Sequence, residues 1–276
     1  MRWFGIMGTP EFIVPIMGKT ASGYLPLTTA WIAATGETDT TILNALNTFE
    51  ASLIANGMNT GDLIAYYPMV GGNETKHAFN FMNTSLYNLT FLNGWTHSAT
   101  GALPNGTNGY ATTNMNANTV LTQNNAHFSF YSRTNTATAS RTSIGCYLAG
   151  PPNVLALNLK QSGNALAGNA SSAAGEYPVV ANSDSTGFYL ASKVSSAIGG
   201  LTLDKNGTQI AANTVAITTN SYPNLNILIS TLSPGLQNDN KETAGVTIGL
   251  GLNSTKRGQL ASMINTLNTA LSRNVY

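Results

Sequence analysis

Apolar residues follow two different periods along the chain. Within 38–56, Ile42, Leu46, Phe49 and Leu53 recur every three or four positions, with Leu43 and Ile54 beside them. That spacing predicts an amphipathic helix with one apolar face. Thr38, Asp39 and Thr40 offer N-cap oxygens, and Gly57 is a stop signal. A second helical stripe is formed by Leu260, Met263, Ile264, Leu267 and Leu271. Ser254 or Thr255 is the expected cap, with Lys256 and Arg257 on the outer side. Arg273 falls in the last turn, where a cation meets the carbonyl end of the dipole.

From about residue 77 to 252 the period shortens to two. In His127–Arg133, Phe128 and Phe130 share one face and His127, Ser129, Tyr131 and Arg133 the other. Leu155, Leu157 and Leu159 alternate in the same way, and so do Phe188, Leu190 and Ser192 against Tyr189, Ala191 and Lys193. Asn206-Gly207 between Leu203 and Ile210 is a two-residue hairpin signal, because both positions tolerate positive φ. Asp62–Val70, Asn224–Ser230 and Gly245–Leu252 read as further strands. Many short strands between Gly, Asn and Ser turns predict an antiparallel sandwich or barrel. Residues 1 to 36 carry no clear period, with Trp3, Phe4, Phe12, Tyr24 and Trp31 set among prolines and glycines. They read as an extended apolar arm that lies either against its own domain's surface or against a neighbouring subunit, with docking to a neighbour as the role expected of it. The expected division is therefore 1–63, arm and helix, and 64–276, the β body ending in a helix.

Composition narrows the functional classes. Only 8% of the 276 residues are charged, against about 25% in ordinary globular chains, and the net charge is +1. Thr, Asn and Ser fill about a third of the chain instead. Twelve basic residues with no run of three argue against nucleic-acid binding. Glu11, Pro10 and Pro15 interrupt the apolar N-terminus, which predicts neither a membrane span nor a cleaved signal peptide. Cys146 is the only cysteine, so no intrachain disulfide forms, and its plain reading is a small buried apolar residue.

Candidate chemistry is sparse. No Asp or Glu occurs between Glu74 and Glu176. Glycoside hydrolysis uses paired carboxyls and calcium sites use several oxygen ligands, so neither an enzyme nor a metal site is expected. His77, His97 and His127 show no metal-ligand spacing, and His127 reads as a surface or interface residue. No cofactor is implied. Trp95 and His97, and Tyr131 with Arg133 on the polar face of one strand, are the weak candidates for ligand contact, as a sugar platform of aromatic and neutral groups.

Several stretches resemble a known group of proteins. These are Tyr66-Tyr-Pro-Met-Val-Gly-Gly72, Gly94-Trp-Thr-His-Ser98, Gly101–Tyr110, His127–Asn135, Gly187–Ser192 and Ala270–Val275. Together they are similar to virion structural proteins of tailed bacteriophages with a concanavalin A-like or laminin-G-like jelly roll. The resemblance covers roughly 38–276 and implies a mainly β, antiparallel jelly-roll sandwich. It also implies a fibre, decoration or tail-associated subunit, assembled in the host cytoplasm into the virion. Partners would be other virion proteins and further copies of the chain. The alternative function is a receptor-recognition module for host surface glycan, and a third is a carbohydrate-active enzyme. The acidic calcium site common in laminin-G-like domains has no counterpart here.

Overall fold

The computed structural model describes residues 23–136, 141–148, 153–161, 163–169, 175–218 and 221–276. Two helices open it, α1 (Pro26–Thr35) and α2 (Thr40–Ala55), followed by strand β1 (Ala65–Tyr67) and a short helix α3 (Glu74–His77). Next come β2 (Thr90–Leu92), β3 (Trp95–Ser98), β4 (Gly101–Pro104), β5 (Tyr110–Asn116), the turn-length α4 (Ala117–Val120) and β6 (Ala126–Ser132). The central run is β7 (Ile144–Leu148), β8 (Asn153–Gln161), β9 (Asn164–Asn169), β10 (Val179–Ala181) and β11 (Gly187–Lys193). The chain closes with β12 (Leu201–Lys205), β13 (Thr208–Ala212), β14 (Asn226–Ile229), β15 (Thr243–Gly249) and helix α5 (Ser254–Ala270).

The strands form two antiparallel sheets. The first runs β13-β12-β11-β6-β15-β4-β3, with β1 also paired to β15, and the second runs β10-β9-β8-β7-β14-β5-β2. This is a mainly β sandwich with a C-terminal helix, as the alternating pattern predicts. Phe128 lies opposite Ala191 and Ile248, and Phe130 opposite Tyr189 and Val246. These side chains point into the inter-sheet core and meet Ile144, Cys146, Leu155, Leu157, Ile227 and Ile229 of the second sheet. At the β12–β13 hairpin, Asn206 and Gly207 have φ of 53° and 82°, the left-handed pair that the turn requires.

The opposite face of the first sheet is not open to water. Tyr66, Tyr131, Phe188 and Leu190 project from it into a second core built with Phe49 and Leu53 of α2 and Leu260, Ile264 and Leu267 of α5. Alternation along β6 therefore separates two buried environments, not core from solvent. His127, expected at a surface, is fully buried. Arg257, expected on the outer side of α5, is also buried, with Nε 2.8 Å from Asp204 Oδ2. Each extra layer adds apolar burial at roughly 25 cal/mol per Å².

Local chemistry explains the helices. Asp39 caps α2, accepting from the Thr41 and Ile42 N–H groups, and Gly57 at φ 61° follows its end. Asn253, not Ser254 or Thr255, caps α5 through the Lys256 N–H. Residues 26–35 are the main departure from the expected arm, because they fold as α1. Leu25 contributes no side-chain cap. The buried Glu50 of α2 does the capping from across the helix pair. Its carboxylate accepts from Leu27 N, Thr28 N and Thr28 Oγ1 at 2.8, 2.8 and 2.9 Å. A negative charge there also faces the positive end of the α1 dipole. Trp31 is fully buried, edge-on to Phe79 at 6.2 Å and tilted against Phe81 at 6.0 Å. It is thus part of this chain's own core and not an assembly contact. Tyr24 packs partly buried against the same helical core. Trp3, Phe4 and Phe12 lie outside the described residues.

Arg273 does not sit in the last turn of α5, which ends at Ala270. It turns back into the protein and donates to Met69 O, Pro68 O and Ala244 O at 2.7, 2.6 and 2.9 Å. Burial pulls its guanidinium down to about 10, so it remains a cation at neutral pH. No helix among the described residues is long and apolar enough to cross a membrane.

Candidate functional site

The four weak ligand candidates fall in two pairs: the Trp95 and His97 rings stack at 6.3 Å, and Tyr131 and Arg133 both bond to the 273–275 tail. Tyr131 is fully buried, its hydroxyl donating to Asn274 Oδ1 at 2.9 Å and accepting from Val275 N at 3.0 Å. A side chain so enclosed presents nothing to a ligand, which corrects its reading as a polar-face residue. Arg133 is committed to structure, donating from Nη1 to Glu242 Oε2 at 2.9 Å and from Nε to Arg273 O at 3.0 Å. Trp95 is half-buried; its indole N–H donates to Tyr110 O at 3.0 Å and its ring packs edge-on to Phe91. It ties β3 to β5 and does not stand out as a platform.

His97 meets a partner that the sequence separates from it by twenty positions. Its Nδ1 lies 2.9 Å from His77 Nδ1, so one ring must donate and the other accept. Burial holds His77 down at about 3, helped by His97 and Arg273, and burial also lowers His97. Glu74 Oε2 is 3.9 Å from His97 Nε2. No group of three or more His, Cys, Asp or Glu able to hold a metal ion occurs among the described residues.

His127, Thr247 and Ser129 form a buried chain. His127 Nδ1 lies 2.6 Å from Leu250 O, which can only accept, so Nδ1 carries the proton. Nε2 then accepts from Thr247 Oγ1 at 3.1 Å, and Ser129 Oγ is 2.6 Å from the same hydroxyl. All three residues are buried, so the triad of residue types is structural. Burial pushes His127 down to about 4. The folded value lies below the usual 6.5, so the unfolded chain takes up the proton first as pH falls. Stability contributed by neutral His127 and His77 is therefore present above pH 6.5 and is lost progressively toward pH 4 and below. Each unit of depression is worth ~1.4 kcal/mol per group. Urea titrations should show a midpoint lower at pH 4.5 than at pH 7.5, and His127→Gln should flatten that difference. A pH-independent midpoint would contradict the assignment.

An uncharged groove lies on the outer face of the second sheet. Ala111, Ile227 and Ile229 face inward, so Tyr110, Thr112 and Leu228 face out. Register aligns Thr90, Thr112, Leu228, Gly145 and Ala156 in one row across five strands. The 231–236 loop folds over part of this row. A Cβ on Gly145 would stand 2.4 Å from Thr231 O and 2.5 Å from the Leu232 Cα, so only glycine admits the loop. Thr231 Oγ1 lies 2.7 Å from Ser233 O and 2.9 Å from Leu236 O, which holds the loop shut on itself. Between loop and sheet lies a groove of about 320 Å³. Its walls are Leu92, Leu225, Leu228, Leu232 and Pro234, with Tyr110 and Tyr147. Thr112, Asn226 and Ser233 are its polar groups besides the tyrosine hydroxyls, and no charged residue among the described ones lines it. Cys146 reaches its floor; burial raises the thiol to about 12, which keeps it protonated. A further depression of about 310 Å³ is the seam between α2 and α5, bordered by Thr41, Thr48, Ser52 and Thr266.

Apart from Cys146, read as a small buried apolar residue, the sequence gives no reason to single out any of these groove residues. The usable signals were small: a glycine inside an alternating strand (Gly145) and a proline after Leu232-Ser233.

No protein-family profile and no curated sequence matches the chain. Solved structures do. A mutant of Trypanosoma rangeli sialidase displaying trans-sialidase activity aligns with TM-score 0.53 and 12% identity, over 81% of this chain and 38% of that one. The same sialidase in complex with 2,3-difluoro-KDN aligns with TM-score 0.53 and 13% identity, over 80% and 38%. The botulinum neurotoxin serotype D binding domain aligns at 0.49 and 12%, over 76% and 52%. The chain thus spans about 38% of the length of the sialidases it matches. At these identities the likeness is one of fold, and it places the chain among two-sheet antiparallel β-sandwich proteins.

Proposed function

We propose that the chain is a non-catalytic recognition subunit of a bacteriophage virion, and that it takes neutral host-surface glycans in the groove over β2, β5, β14 and β7. The observation that carries the glycan half is the lining of that groove. Two tyrosines and several aliphatic side chains offer faces for the apolar side of a sugar ring, and uncharged Asn226, Ser233 and Thr112 offer hydrogen bonds. The side chains of Asn226 and Ser233 make no hydrogen bond within the described structure, so both are available to a ligand. A non-catalytic role is supported by the absence of a carboxylate from the lining. The virion half rests on the sequence resemblance and on the low charge, which lets many copies pack without like-charge repulsion.

A glycan array probed with the purified chain tests the first half. Binding to neutral glycans is expected, weakened about tenfold or more by Tyr147→Ala or Asn226→Ala, each a loss of roughly 1.4 kcal/mol, with unchanged thermal unfolding. Binding that is absent, or indifferent to both substitutions, would sink it. Mass spectrometry of purified particles tests the virion half, which fails if the chain is missing from them.

A further inference from the structure

The groove is lined more by aliphatic than by polar side chains. Resting on the glycan reading above, we propose that it selects neutral sugars carrying a methyl in place of the hydroxymethyl group, that is, 6-deoxyhexose residues.

Its walls are mostly aliphatic. Leu228 and Leu232 are at most a tenth exposed and form the inner part, and Leu225, 39% exposed, stands at the rim. Three side chains supply the neutral hydrogen-bonding groups besides the tyrosine hydroxyls. Thr112 Oγ1 already accepts from Asn114 N at 3.2 Å and has its proton to donate. Asn226 supplies both a donor and an acceptor, and Ser233 one hydroxyl. Where Asn226 and Ser233 take ring hydroxyls, the rest of the sugar faces a wall made mostly of leucine and proline, and an exocyclic hydroxyl turned to that wall has no partner there. A hydroxyl desolvated without a partner opposes binding, whereas a methyl at that position is favoured by the same wall. The discrimination is the stronger kind available to such a site, because the penalty falls on the competitor's unpaired polar group. Acidic sugars are disfavoured independently. No Lys, Arg or His among the described residues lines the groove, so a carboxylate there would lose water and gain no counter-charge from them.

Matched pairs of glycosides separate the possibilities. Titration calorimetry or saturation-transfer NMR is run on the full chain with methyl α-L-fucoside against methyl α-L-galactoside, and methyl α-L-rhamnoside against methyl α-L-mannoside. Each pair differs only at the sixth carbon. At least one 6-deoxy member should bind about tenfold more tightly than its parent, a fold-change set by one unpaired hydroxyl exchanged for a methyl. Leu225→Ser, at the half-exposed rim where folding is least at risk, should shrink the preference several-fold, and a preference that the substitution leaves intact would count against the leucine wall as its source. Parents that bind as tightly as their deoxy partners, or a glucuronide that binds as tightly as either, would overturn this inference and leave the glycan reading intact. Failure of these and of every neutral oligosaccharide on the array would overturn both.

Discussion

Arg273→Ala should lower the stability of the chain by ~3–5 kcal/mol, the range for removing a buried charged group that partners others. The side chain is 1% exposed and answers three carbonyls, from Pro68, Met69 and Ala244, which lose these donors when it is gone. Those carbonyls belong to the segment after β1 and to β15, so one guanidinium joins the C-terminal tail to two parts of the first sheet. The tail depends on the same anchor: Tyr276 packs on Tyr131 at 5.7 Å, and the Arg273 carbonyl accepts from Arg133. For a domain of this size the expected fall in melting temperature is on the order of 10 °C. Arg273→Lys should recover only part of it, because an ammonium cannot spread three donors across the same fork. A melting temperature within 2 °C of the parent, a margin of roughly 1 kcal/mol, would show that these carbonyls find other partners.

Gly145→Ala should cost several kcal/mol, roughly the upper range for overpacking, and should remove the proposed glycan binding although Gly145 is not itself in the groove lining. The new methyl meets backbone, not a side chain that can swing aside. The loop it strikes is closed by the Thr231 hydroxyl and by Asp239 N donating to Ser230 O at 2.7 Å, so it must move as a piece. Moving it takes Leu232, Ser233 and Pro234 out of the groove wall. Chemical unfolding and glycan titration measure the two effects separately. Normal stability together with unchanged binding would mean that the loop does not form the wall.

Much of the fold was legible because it rests on local periodicity. The helix at α2, the stripe of α5, the alternation of β6 and β11 and the turn at Asn206-Gly207 each need only a few neighbouring residues to be read. The helix α1 was not, because its cap comes from Glu50 on another helix and its sequence is rich in threonine. The second core was missed for a related reason. Along β6 the residues His127, Ser129 and Tyr131 look like a wetted face, and only the docking of α2 and α5 makes that face interior. His127 and Tyr131 were misread together on that account. The groove was the least legible part. Its floor joins residues from β2, β5, β14 and β7 whose register is set over a hundred positions, and its signature is ordinary Leu, Tyr and Thr.

The layering also gives the molecule a front and a back. Helices α1, α2 and α5 cover one face of the sandwich, whereas the groove opens on the opposite face. A tether through the N-terminal side therefore aims the groove away from whatever holds it. Copies mounted side by side in that way would present parallel sites, and a contact too weak to matter singly could gain on the order of 10²–10⁴ in hold from numbers alone.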